Sequence, residues 1–144
     1  MNQKFEKIKK DTTPKRETLK NTINAFISGG LICLLAQVIS YLIEKYFKLD
    51  KNMTSVYTVI IMVFLASLLT GFGVYDRLGQ FSGAGTIIPI TGFANSMTSS
   101  ALESKSEGLI LGILTNMFKL AGSVIVAGIV TGVVVGLIRY ILGV

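Results

Sequence analysis

Thr70-Gly-Phe-Gly-Val-Tyr-Asp-Arg-Leu-Gly-Gln-Phe-Ser-Gly-Ala-Gly85 runs on as Thr86-Ile-Ile-Pro-Ile-Thr-Gly-Phe-Ala-Asn-Ser-Met-Thr-Ser-Ser-Ala-Leu-Glu-Ser-Lys-Ser-Glu-Gly108. It is rich in Gly, Ser and Thr, holds Pro89, and carries Asp76, Arg77, Glu103, Lys105 and Glu107. On both sides lie runs apolar enough to be membrane spans. Residues 70–108 are therefore neither a comfortable span nor a solvated loop. Backbone that leaves helical form at membrane depth is tolerated only where other protein buries it or where it lines a wet cavity. This stretch is read as the working part of a membrane protein.

Working outward, residues 23–43 are almost wholly apolar, about 31 Å as a helix, enough for a hydrocarbon core of roughly 30 Å. Gln37 and Ser40 interrupt this first span, and helix-to-helix hydrogen bonding is the expectation for both. The second span covers residues 54–75 and weakens at Thr70-Gly71-Phe72-Gly73. Residues 82–102 fit a re-entrant hairpin or broken half-helix, or less comfortably a span, because Ser82-Gly83-Ala84-Gly85 and Pro89 are poor helix interior. Thr-Gly-Phe at 70–72 recurs at 91–93. Residues 108–142 would measure about 52 Å as one helix, too long for an untilted crossing. A division within 116–123 is expected, giving segments 108–121 and 123–142. The fold class is thus all-α, a polytopic integral membrane protein with three to five transmembrane or re-entrant helices and a broken central Gly/Ser/Thr-rich hairpin.

Composition agrees. Of 144 residues, 51% are hydrophobic and 15% charged, with mean hydropathy +0.64, whereas soluble domains carry about 25% charged residues. Residues 1–22 form a basic tail and residues 23–144 a single transmembrane domain. Seven of the fourteen basic residues precede Asn21, a pattern that suits anionic lipid heads and cytoplasmic retention rather than nucleic acid. Lys45, Lys48 and Lys51 in the first loop weigh against that orientation. The chain has no His and one Cys, Cys33, so disulfide frameworks and Cys/His metal clusters are excluded. Cys33 reads as a small buried hydrophobe. No nucleophile–base pair or phosphate-cradling loop is present; neither an enzyme nor a cofactor is expected.

What remains is a path of small and polar residues. Its hydroxyls and the Asn95 and Asn116 amides can replace a solute's hydration, while Arg77 and Lys119 favour an anion. Lys119, inside an apolar run, either faces water or a partner, or sits at a helix break and snorkels. Asp76 and Arg77 arrive together, either as a satisfied interfacial pair or as part of a gate. The expected pore-lining or gating residues are Asp76, Arg77, Gln80, Asn95, Ser96, Thr98, Ser99, Asn116 and Lys119. Gly128, Gly132 and Gly136 recur every fourth residue and so share one helix face, a packing surface for another helix of this chain or of a neighbour.

The blocks Leu69 to Gly85, Pro89 to Gly108 and Thr115-Asn-Met-Phe-Lys-Leu-Ala-Gly122 resemble the SpoVA family of sporulation membrane proteins, in its AC/AEb branch. The resemblance implies a channel subunit in the spore inner membrane that moves dipicolinic acid, with calcium, into the developing spore and releases it in germination. It also implies sensitivity to membrane tension and other SpoVA subunits as partners, in a homo- or hetero-oligomer. Glu103 and Glu107 fall in the matched blocks too, without an assigned role. The rival expectation is a structural or assembly subunit that docks partners without conducting.

Overall fold

A computed structural model describes residues 17–143; the basic residues at 4–16, and with them most of the expected tail, lie outside these. Among the described residues the chain is helical throughout, with no strand. Among the described residues three helices are long and apolar enough to cross a membrane: Thr18–Phe47, Lys51–Gly71 and Leu109–Leu142. The protein is an all-α polytopic membrane protein.

Helix α1, Thr18–Phe47, is 30 residues long, about 45 Å. It takes in residues 18–22, expected in the tail. Lys48 ends it in the left-handed conformation, φ 49°, and returns its amide to the Glu44 carbonyl at 3.0 Å. Lys45 in the last turn complements the negative end of the helix dipole and lies 5.7 Å from the Tyr41 ring centre. The short connection leads straight into α2, Lys51–Gly71, which packs back against α1. The buried residues of α2 are Thr54, Thr58, Met62, Ala66 and Thr70, one every four positions. A step of four in a 3.6-residue helix advances the row by about 40°, so it winds round α2 from the α1 side toward α5.

Past Gly71 the chain breaks repeatedly. Gly73, at φ 71°, begins α3, Val74–Ser82, so Val74 and Tyr75, expected in the second span, belong to a different helix. Gly83, at φ 52° and ψ −123°, separates α3 from the one-turn α4, Ala84–Ile87. This backbone pair suits a residue without a Cβ. Pro89 then caps α5, Ile90–Glu103. Its 14 residues measure about 21 Å, short of the roughly 30 Å of hydrocarbon. A 3₁₀ turn, Ser104–Glu107, leads to a π-helical stretch, Leu109–Leu114, and then to α6, Thr115–Leu142.

The division expected within 116–123 is absent, and α6 runs unbroken through Lys119 and Gly122. Lys is a good helix former, and one interior Gly costs only about 1 kcal/mol. No water competes for helical hydrogen bonds in lipid. The irregularity falls upstream instead, where the Gly112 and Ile113 amides both reach the Gly108 carbonyl, at 3.2 and 3.1 Å.

The interior is unlike that of a soluble protein. Among the described residues seven buried ones are Ser or Thr, and the five buried hydrophobic ones are Ile43, Met62, Ala66, Tyr75 and Ala94. Val63 packs against the cluster of Ala66, Tyr75 and Ala94. Outward-facing Leu, Ile, Val and Phe are consistent with a lipid solvent, where apolar burial supplies no drive and small residues and hydrogen bonds hold helices together. Thr58 and Thr70 donate to carbonyls four residues back on their own helix, at 2.8 and 2.7 Å.

Candidate functional site

The broken elements between α2 and α6 converge on Tyr75. It sits in the first turn of α3 and is 5% exposed. Its hydroxyl donates to the Thr86 carbonyl at 2.8 Å and lies 2.9 Å from Thr91 Oγ1. Tyr75 has one proton to give, so Thr91 donates back to it. Pro89 offers no amide to the preceding turn, and Tyr75 gives the Thr86 carbonyl a donor beside that break. Thr86 turns its own hydroxyl to the Gly83 carbonyl at 3.1 Å.

One helix away, Thr70 Oγ1 lies 2.7 Å from the Ala66 carbonyl and 2.9 Å from the Asn95 side-chain amide. The oxygen of the Asn95 amide, Oδ1, faces Thr70, so the one Thr70 proton goes to either the Ala66 carbonyl or Asn95 Oδ1; exchanging the Asn95 O and NH₂ lets both contacts form at once. The two Thr-Gly-Phe echoes therefore meet crosswise. Thr70 engages Asn95, just past the second echo, and Thr91 engages Tyr75, just past the first. A further tie fixes the start of α6: Asn116 Nδ2 donates to Ser104 Oγ at 2.7 Å and to the Gly112 carbonyl at 3.1 Å.

Glycines let these elements close up. A Cβ on Gly85 would collide with Ser28 Oγ and the Ala25 carbonyl of α1; one on Gly92 would collide with the Ile87 and Thr86 carbonyls. The centre of the fold is thus braced by mutually satisfied polar groups.

The expected site residues are dispersed around this brace. Asp76, Arg77 and Gln80 are exposed on α3, and no ion pair joins Asp76 to Arg77. Asn95 is half-buried in the brace, and Ser96 turns its hydroxyl to the Gly92 carbonyl of its own helix at 3.1 Å. Thr98 is half-buried and Ser99 exposed. Asn116 is half-buried, and Lys119, one turn further on, is exposed. Gly128, Gly132 and Gly136 face open space, with nothing within 4 Å of a Cβ built on any of them. Among the described residues, no group of three or more His, Cys, Asp and Glu is placed to hold a metal ion.

Residue-by-residue reading missed Tyr75, Thr86 and Thr91 as a bonded set, because only the breaks at Gly83 and Pro89 bring them together. It also misassigned Gln37, Ser40 and Cys33. Cys33 is exposed rather than buried, and among the described residues no hydrogen bond holds Gln37 or Ser40 to another helix. All three line an open recess of about 470 Å³ between α1 and α2, facing Ser55 and Thr58. Their spacing with Glu44, at positions 33, 37, 40 and 44, is the helical-face signal that could have found it.

A family model described as SpoVAC/SpoVAEB sporulation membrane protein matches residues 21–138. Stage V sporulation protein AC of Bacillus subtilis (strain 168) is 50% identical over 127 residues, covering 88% of this chain and 85% of that protein. No solved structure matches the chain.

Proposed function

Because the chain belongs to the SpoVAC/SpoVAEB sporulation membrane protein family, we propose that it is a channel subunit that conducts dipicolinic acid, with calcium, across the spore inner membrane. Conduction would be inward as the spore develops and outward at germination. The observation that carries this reading is the polar, broken centre: α3 to α5, too short to cross lipid, tied to α2 through Thr70 and Asn95 and to one another through Tyr75 and Thr91. Such a unit can shift between packings without exposing unsatisfied backbone to lipid. The exposed cations Arg77 and Lys119 suit a small aromatic dianion. Asp76, Gln80, Ser96, Thr98 and Ser99 lie on the same broken elements. Asn95 and Asn116 act as ties that a moving gate would have to release. Three candidate spans enclose little by themselves, so further copies or other SpoVA subunits complete the pore. Basic residues near the N-terminus bind anionic lipid heads.

Liposomes holding the purified protein test this through dipicolinate efflux. Arg77→Ala with Lys119→Ala is expected to cut efflux at least tenfold, and unchanged efflux would sink the charge assignment. Opening by membrane tension predicts a pressure-dependent conductance in excised patches; a response flat with pressure removes it.

A second reading, a structural or assembly subunit that does not conduct, is favoured by one observation: α6 buries none of its 28 residues within the chain. Gly128, Gly132 and Gly136 would then seat a neighbouring helix. Protein that never conducts yet copurifies with other subunits of its complex supports that reading over the first.

A further inference from the structure

One face of α1 carries small or polar residues at a spacing of three or four: Thr22, Ala25, Gly29, Cys33, Gln37 and Ser40. That spacing aligns them along one stripe. Three recesses open on this stripe in succession. The first, about 640 Å³, sets Asn21 and Thr22 against Gln80 and Ser82 of α3. The second, about 450 Å³, is apolar, lined by Phe26, Gly30 and Cys33 of α1 with Ile88 and Pro89 from the broken centre. The third is the recess of about 470 Å³ that sets Gln37 and Ser40 against Ser55 and Thr58, with Glu44 and Lys51 also lining it. Neighbouring recesses share wall residues. Thr22, Ala25 and Ala84 belong to the first and second, and Cys33 to the second and third. From Thr18 to Glu44 the series follows α1 for about 39 Å, more than the thickness of a hydrocarbon core.

A separate observation says what fills the third recess. Gln37, Ser40 and Ser55 line it with the charged Glu44 and Lys51, while the Thr54 hydroxyl, which has no hydrogen-bond partner, is closed off from solvent. Among the described residues Gln37, Ser40 and Ser55 also lack side-chain partners. An acyl chain satisfies none of the Gln37, Ser40 and Ser55 groups, whereas water and small hydrogen-bonding solutes satisfy all three.

We propose that this groove along α1 is the solute path of the chain, two wetted vestibules for small polar solutes separated by an apolar waist at Phe26, Gly30, Cys33, Ile88 and Pro89. A stretch lined mainly by apolar side chains holds water poorly and slows polar solutes until it is wetted. The waist lies near the middle of α1, and two of its residues, Ile88 and Pro89, come from the chain's most broken segment. Rearrangement of the centre therefore moves the gate directly. The path is a groove, and its second wall comes from a neighbouring subunit. This inference rests on the channel reading and names where its solute travels.

The test uses full-length protein in liposomes, in a Cys33→Ala background, with a membrane-impermeant cationic thiol reagent. Gln37→Cys and Asn21→Cys are expected to react at least tenfold faster than Phe64→Cys, a lipid-facing control that is 62% exposed, and from opposite sides of the bilayer. Gly30→Cys is expected to react no faster than Phe64→Cys. If Gln37→Cys is as slow as Phe64→Cys, lipid fills the groove and the path is overturned; if Gly30→Cys is as fast as Gln37→Cys, the dry waist is overturned. Nothing lies within 4 Å of a Cβ at Gly30, so larger residues fit there. Gly30→Ser is expected to raise resting dipicolinate efflux at least fivefold and Gly30→Leu to lower it; efflux unchanged in both overturns the gate. Wild-type protein that never conducts while position 37 stays reactive overturns the path through the channel reading alone, leaving the groove wet.

Discussion

Residues 70–108 and helix α6 handle packing in opposite ways. The first region buries Thr70, Tyr75, Ser82, Thr86, Thr91 and Ser104, and its glycines at 85 and 92 stand in backbone contact with neighbours. The second, 28 residues rich in Val, Ile and Leu, buries none of them, and its glycines at 128, 132 and 136 face open space. In water the apolar helix would be the core and the hydroxyl-rich segment the surface. In lipid the order inverts, because apolar side chains gain nothing by leaving acyl chains, while each polar group must find a partner. The comparison teaches that in this protein polarity, rather than hydrophobicity, marks what packs inside the chain.

The sharpest way to break the contrast is glycine replacement. Gly92→Ala drives a Cβ into two backbone carbonyls that cannot step aside, and a loss of about 3 kcal/mol is expected in detergent unfolding. A loss under about 1 kcal/mol would mean that the centre is looser than its contacts imply. Next in size is Tyr75→Phe, which strips the buried bridge between Thr86 and Thr91 and should cost about 1–2 kcal/mol. A double-mutant cycle with Thr91→Val sharpens this, since the two losses should fall well short of additive. Asn116→Ala removes the tie from α6 to Ser104 and Gly112 and should cost about 1 kcal/mol, with faster amide exchange through residues 108–114. Smallest is Gly132→Ala, expected to leave the folded monomer within about 0.5 kcal/mol or slightly stabilised, as a gain in helix propensity with nothing to collide against. A destabilisation of the monomer as large as that of Gly92→Ala would erase the contrast.

Much of this was legible because the relevant signals are local. The first apolar run, the weakening of the second span at Thr70 to Gly73 and the poor helix interior at Ser82 to Gly85 and Pro89 each follow from residue types within a turn or two of where they act. Lys119 and Gly122 suggested a break and gave none, because a helix in lipid holds its backbone bonds against modest propensity costs. The break moved to Gly108, where the 3₁₀ turn comes up against Gly112. Gln37 and Ser40 were read as ties between helices and instead line an open recess. A polar side chain in a span needs a partner, and the residue type does not say whether that partner is protein or water.

By itself the sequence determined that the chain crosses a membrane as helices and that its middle is broken and polar where the flanking runs are not, since apolar length and glycine–proline placement act through near neighbours. Only the tertiary structure decided which hydroxyls are spent on each other and which are left facing a groove. Thr70 meets Asn95 across 25 positions and Tyr75 meets Thr91 across 16, and pairings at that range depend on where every intervening turn points.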